Sequence, residues 1–144
     1  MHLQEQVYSI LLVASTESFT RSLLELLPEG RYEPVHTAIS ISSAKQKVLE
    51  RAYDFVIINT PLPDDAGLHF AIDVCTSGNS VALLLVRNEI YEEAHSRLVQ
   101  HGVFKLSKQT SRSTIATALK WLESARERLR RFEKKTLSIE EKME

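Results

Sequence analysis

The chain has a single cysteine, Cys75, in 144 residues. That excludes an internal disulfide framework and fits a reducing compartment, so the expected location is the cytoplasm. An excess of charge of either sign is also missing: the formal net charge is −1, too small for the overall field to attract nucleic acid or a membrane surface. No apolar run approaches the roughly 20 residues that span a bilayer, and the opening "MHLQEQ" is polar, with no secretory core, so no membrane partner is expected. The histidines His2, His36, His69, His95 and His101 show no metal-ligand spacing, and no serine or cysteine pairs recognisably with a base. Neither a metal, another cofactor nor catalysis is therefore expected. What is present is the composition of one globular domain, 43% apolar and 26% charged.

Short apolar or β-branched runs alternate with longer segments of helical period. "YSILLV" (Tyr8 to Val13) precedes a segment periodic in Phe19, Leu23, Leu24 and Leu27, which Pro28 and Gly30 end. "YEPVHTA" (Tyr32 to Ala38) reads as an edge strand, because Pro34 removes a ladder donor; a helix follows from Ser40 to Arg51. "DFVII" leads through "NTPLPDDAG" to a helix from about Gly67 to Cys75. "SVALLLV" (Ser80 to Val86) precedes a helix from about Glu89 to His101, stopped by Gly102. "VFKL" (Val103 to Leu106) precedes a last helix starting near Ser111 or Ser113. Strands alternating with helices predict a doubly wound α/β fold, and "ILLV", "FVII" and "ALLLV" read as strands buried on both faces. Chemistry in such sheets gathers at the carboxyl ends of the strands. The residues to inspect are thus Ala14 to Glu17, Asn59 to Pro63, Val86 to Asn88, and Ser107 with Lys108.

These strand-helix units, with "NTPLPDDAG" after the third strand and "LSKQ" after the fifth, resemble the receiver domain of two-component response regulators over residues 7–123. The resemblance implies a flavodoxin-like, five-stranded parallel sheet of order 2-1-3-4-5. Pro63 and Gly67 keep the family's spacing from the phosphorylated aspartate, which places Asn59 at the phosphoacceptor position. Lys108 matches the family's phosphoryl-contacting lysine, and Gly102 the glycine before the fifth strand. The departures are as specific. The acidic pair that holds Mg²⁺ is replaced by Ala14 and Ser15, with Glu17 the nearest acid. The switch hydroxyl is replaced by Arg87, or by Val86 if the alignment slips by one, and Gln109 stands where proline is expected. An amide is not a usable phosphoryl acceptor, and no acid pair supplies the metal with charge. The expectation is a receiver-like module that takes no phosphate.

Asn59 is expected to cap the strand exit by hydrogen bonding in the loop. Asp64 and Asp65 read as solvated turn residues, with a displaced acceptor as the alternative. Lys108 either contacts Asn59 or a backbone carbonyl, or lies at the surface. In "ASTESFT", Ser15 or Thr16 reads as an N-cap with Glu17 in the first turn; a flavin or nucleotide phosphate held by Ser15, Thr16 and Ser18 is the rival reading. Resemblance alone places Tyr91, His95 and Lys105 on a face for a signalling protein partner.

The helical pattern then runs from Ser113 to the last residue. Ile115, Ala118, Leu122, Ala125, Leu129, Phe132, Thr136, Ile139 and Met143 recur at a and d positions over about four heptads. Arg128 and Lys135 at g would face Glu133 and Glu140 at e in a parallel partner, which predicts a parallel homodimer. Its seam would run through Leu122, Ala125, Leu129, Phe132, Thr136, Ile139 and Met143, with residues 124–144 forming a linker. The alternative is a single amphipathic helix whose first half packs on the sheet, the reading favoured for Ile115 to Leu122 as part of the receiver-like core. "RERLRRFEKK" is basic, and reads as the outside of that coiled coil or a contact for RNA. The pattern ends at "SIEEKME" without a cap, so more protein is expected to follow. A receiver-like domain, a basic coiled-coil linker and "LSIEEKME" together resemble the front of an ANTAR-type antitermination regulator. That resemblance implies an RNA-binding output domain beyond residue 144.

Overall fold

A computed structural model describes residues 6–60, 62–77, 80–86, 98, 100–108 and 112–143, with backbone alone for 134–143. Along the chain run β1 (Tyr8–Val13), α1 (Glu17–Leu26), β2 (Tyr32–Ala38), α2 (Ile41–Glu50), β3 (Phe55–Asn59), α3 (Leu68–Thr76), β4 (Val81–Val86), β5 (Phe104–Ser107) and α4 (Arg112–Met143). The strands form one parallel sheet of order β2-β1-β3-β4-β5. This is the doubly wound flavodoxin-like arrangement expected above.

The sequence pattern explains the strand order. Every residue of β1, β3 and β4 is buried, so the three unbroken apolar runs occupy the centre, where helices cover both faces. β2, with Pro34, and the half-buried β5 take the edges. Alternate side chains serve opposite layers, as a strand's period of two requires. Leu11, Val13, Val56, Ile58, Leu84 and Val86 pack with α2 and α3 residues such as Ala44 and Phe70. Ile10, Leu12, Phe55, Ile57, Leu83 and Leu85 pack with Leu23 of α1 and with Leu119 and Leu122 of α4.

Helix ends follow local chemistry. Ser40 Oγ accepts from the Ser43 N–H at 3.1 Å and caps α2. Gly67, at φ +90°, opens α3 in the left-handed region that disfavours a side chain. Of α1, Leu23 is buried whereas Leu24 is exposed. Most of the helix expected from Glu89 to His101, including Tyr91 and His95, lies outside the described residues, as do Arg87 and Gln109. Leu98 is buried, and its carbonyl accepts from the His101 and Val103 N–H groups around Gly102 at φ +77°.

α4 is one uninterrupted helix from Arg112 to Met143, in keeping with the helical pattern expected to run from Ser113 to the last residue. One expectation for the tail needs correction. Leu122, expected in a dimer seam, is 0% exposed and packs against the sheet. Of the two readings open to Leu122, the core one holds; the heptad pattern admitted both because an apolar residue satisfies an intramolecular and an intermolecular face equally well.

Candidate functional site at the strand exits

β3, β4 and β5 run parallel, so Asn59, Val86 and Ser107 end at one edge of the sheet. A small cavity of about 150 Å³ opens there, lined by Phe19, Asn59, Leu85, Ser107, Lys108 and Ile115. The structure thus brings together Asn59 and Lys108, which are 49 positions apart in the sequence. Among the described residues no carboxylate lines this cavity, and Phe19, Leu85 and Ile115 make half of its wall apolar. Asn59 is 9% exposed. Val86 is fully buried and carries no hydroxyl; its carbonyl accepts from the Lys108 N–H at 2.9 Å.

The hydrogen bonds at the exit of β3 belong to Thr60, not to the Asn59 side chain as expected. Thr60 donates from its N–H at 3.1 Å and from Oγ1 at 2.8 Å, both to the Leu85 carbonyl. A buried hydroxyl one residue on satisfies the strand end, while Asn59 lines the cavity. After β1, Ala14 is buried and Ser15 exposed, and neither lines the cavity. Thr16 occupies the N-cap position of α1 with Glu17 in the first turn, as expected, but makes no side-chain cap bond. Glu17 pairs with Arg21 at 2.9 Å on the exposed face of α1. Among the described residues no group of three metal-ligating side chains occurs.

Asp64 has a role beyond that of a solvated turn residue. Its Oδ1 accepts from the Ile41 N–H and its Oδ2 from the Ser42 N–H, both at 2.9 Å, so it caps α2 from a different loop. Those N–H groups hold its carboxyl below the ordinary carboxylate value. Asp65 Oδ1 accepts from the Gly67 N–H at 2.7 Å, and the Asp65 carbonyl from the Leu62 N–H at 3.0 Å. The spacing from Pro63 to Gly67 therefore builds a closed loop. A Cβ at Gly67 would lie 3.0 Å from Ile58 Cγ2. Capping across 22 positions leaves no local signal, which is why sequence reasoning missed it.

At the opposite edge of the sheet lies a second polar assembly that sequence reasoning did not find. Asp54, just before β3, accepts from Arg126 Nε and from an Arg130 guanidinium nitrogen at 2.8 Å each, and from the Ser9 N–H at 2.9 Å. Burial pushes its pKa up, but the Ser9 N–H and the two guanidiniums outweigh it, and the net shift is downward. Glu127 accepts from Tyr8 Oη at 3.0 Å and from Arg130 at 2.9 Å. Glu123 accepts from Tyr32 Oη at 2.8 Å and pairs with Arg31. Burial, then the bond to Glu127, push the Tyr8 phenol up to about 12. Arg126 and Arg130, expected on the outside of a coiled coil, are bound to the chain's own sheet. The spacing of Glu123, Arg126, Glu127 and Arg130 marks one helix face, yet nothing in it distinguishes a face that meets a sheet from one that meets water.

The outer face of α4 is different. Trp121 is 53% and Phe132 69% exposed, and Leu129 lies partly exposed beside them. Ala125 is half-buried against the core. The side chains of Thr136, Ile139 and Met143 lie outside the described residues.

No family model and no curated protein matches the sequence. Solved structures do. The chain is similar to the signal receiver domain of an HD domain-containing protein from Pseudomonas fluorescens Pf-5, with a TM-score of 0.77 and 22% identity over 91% of this chain and 97% of that one. The fold is that of a response regulator receiver. A CheY-like receiver domain protein from Methanospirillum hungatei JF-1 aligns with a TM-score of 0.71 and 15% identity, over 85% of this chain and 99% of that one. The beryllofluoride-activated NtrC4 receiver domain dimer aligns with a TM-score of 0.65 and 23% identity, over 84% and 98%. Against this receiver frame, the Asn59–Lys108 cavity occupies the sheet edge where a doubly wound fold presents its ligand site.

Proposed function

We propose that this chain is a non-catalytic signal-transduction module: a receiver-like domain without a phosphoacceptor, which dimerises through its C-terminal helix and positions an output domain that acts on RNA in transcription antitermination. The observation that carries the reading is the cavity at the strand exits. Asn59 stands there with Lys108, and among the described residues no carboxylate lines it, although an acyl phosphate and its Mg²⁺ would need one. The retained Pro63, Gly67, Gly102 and Lys108 are then scaffold, while Asn59, Ala14, Ser15 and the position at Val86 or Arg87 are departures from a phosphorylatable site. Asp64 as a displaced acceptor is disfavoured by geometry, since both its oxygens are engaged by the N-terminus of α2.

The exposed face of α4 supports self-association. Phe132 and Trp121 lie about three helical turns apart on one side, with Leu129 flanking. A second copy offering the same stripe would cover them, through a seam of Trp121, Ala125, Leu129 and Phe132 and onward through Thr136, Ile139 and Met143. The likeness to a receiver solved as a dimer favours the same reading. The RNA-level output rests on the resemblance of "LSIEEKME" and the preceding helix to antitermination regulators, and the signal input would be a partner protein docking on the domain. Light scattering on a sizing column, with and without Mg²⁺ and acetyl phosphate, tests this together with intact mass. A dimer indifferent to both additives and free of added phosphate is expected; a phosphorylated species of altered mass would overturn the reading.

A further inference from the structure

The Asp54 assembly has the construction of a latch. Asp54 and Arg126 are 13% and 14% exposed, and Arg130 26%, so the pairs are largely withdrawn from water. Each arginine also holds a second acid on its own helix: Arg126 reaches Glu133 at 3.4 Å and Arg130 reaches Glu127 at 2.9 Å. Asp54 in turn keeps the Ser9 N–H and hydroxyl, at 2.9 Å and 3.3 Å. Swinging the part of α4 beyond Glu123 away from the sheet base would therefore leave Arg126 with Glu133, Arg130 with Glu127 and Asp54 with Ser9. Opening avoids the large penalty of a buried unpaired ion, whereas closing adds two charge-assisted bonds. An element whose two arrangements both satisfy their charges is what a small input can bias.

The position makes the latch consequential. Ile115, Leu119 and Leu122 fix the first half of α4 by apolar packing on the sheet, and among the described side chains the last hydrogen bonds to the sheet base come from Arg126, Glu127 and Arg130. Beyond Arg130 the helix continues to Met143, roughly 20 Å further at 1.5 Å per residue. A small rotation at this mount is magnified at the far end.

We propose that Asp54, Arg126 and Arg130 form a conformational latch that locks α4 to the sheet base, so that domain and helix move as one rigid lever whose direction is set opposite the Asn59–Lys108 cavity. This rests on the reading of α4 as the output arm, but it concerns one chain and is tested within one chain. Spin labels at Leu49→Cys on α2 and Arg131→Cys on α4, in a Cys75→Ala background, report the intramolecular distance. Labelled chain is diluted into unlabelled chain so that contacts between copies contribute nothing. The closed latch gives one narrow distance distribution. Asp54→Asn is expected to broaden it and add a second population while helical circular dichroism is retained, and Asp54→Glu to restore the narrow form. Should Asp54→Asn not fold, Arg126→Gln with Arg130→Gln is judged by the same criterion. A distribution as narrow as the parent's, in whichever of these folds, overturns the latch even if the melting temperature falls. Because the distance is read within one chain, failure of the dimer leaves this result standing.

Discussion

Replacing Leu122 by alanine separates the two faces of α4. Leu122 is fully buried among Leu119, Leu83, Leu85 and other side chains of the sheet and α1. The change removes three buried carbons, about 2.4 kcal/mol at about 0.8 kcal/mol each. A residual cavity brings the expected loss to about 3 kcal/mol, within the range for buried leucine. For a domain of this size that lowers the melting temperature by about 10 °C. The loss should be the same at all protein concentrations, because it arises within one chain. Phe132→Ala provides the contrast: at 69% exposure it should change the stability of the domain by less than about 0.5 kcal/mol. It should instead weaken self-association by about tenfold, as loss of a partly desolvated aromatic anchor does. Thermal unfolding and sedimentation across a concentration series measure both. If Leu122→Ala left the melting temperature unchanged and weakened self-association, the assignment of Leu122 to the core would be wrong.

Three further outcomes are expected. Asn59→Asp should remain unphosphorylated by acetyl phosphate and Mg²⁺, because Ala14 and Ser15 supply no second acid; an added phosphoryl mass would refute the account of the cavity. Asp64→Ala should destabilise the protein at neutral pH. The Asp64 pKa in the folded state lies below 3.8, so its stabilisation is whole above that value and drains away as pH falls through the folded pKa. Urea titrations should therefore converge for variant and parent in acid, and a gap that persists there would implicate something other than the carboxylate. Gly67→Ala should cost about 1–3 kcal/mol, since φ is +90° and the new Cβ would meet Ile58 at 3.0 Å; an unchanged unfolding midpoint would contradict this.

The sheet was legible because its information is local. "ILLV", "FVII" and "ALLLV" are apolar without alternation, and only a strand covered on both faces suits them. Pro34 marked an edge through its missing donor, and Gly102 marked a helix stop, where the structure shows a positive φ. The proposed departures at Ala14, Ser15 and Asn59 come from the receiver resemblance, which supplies the spacing that composition alone does not.

What the sequence determined by itself is the order of elements and the three central strands. Tertiary structure alone decided which side of α4 is core. Leu122 and Phe132 are both apolar at heptad positions, and only the approach of the sheet makes one buried and the other exposed. It also decided that Asp64 caps α2 and that Asp54 holds Arg126 and Arg130. Those partners are 72 and 76 positions from Asp54, and a charge carries no mark in the sequence of the distant charge it will meet. Hydrophobic period is written over a few neighbouring residues, whereas pairing between polar groups is fixed only when packing brings the ends of separate elements together.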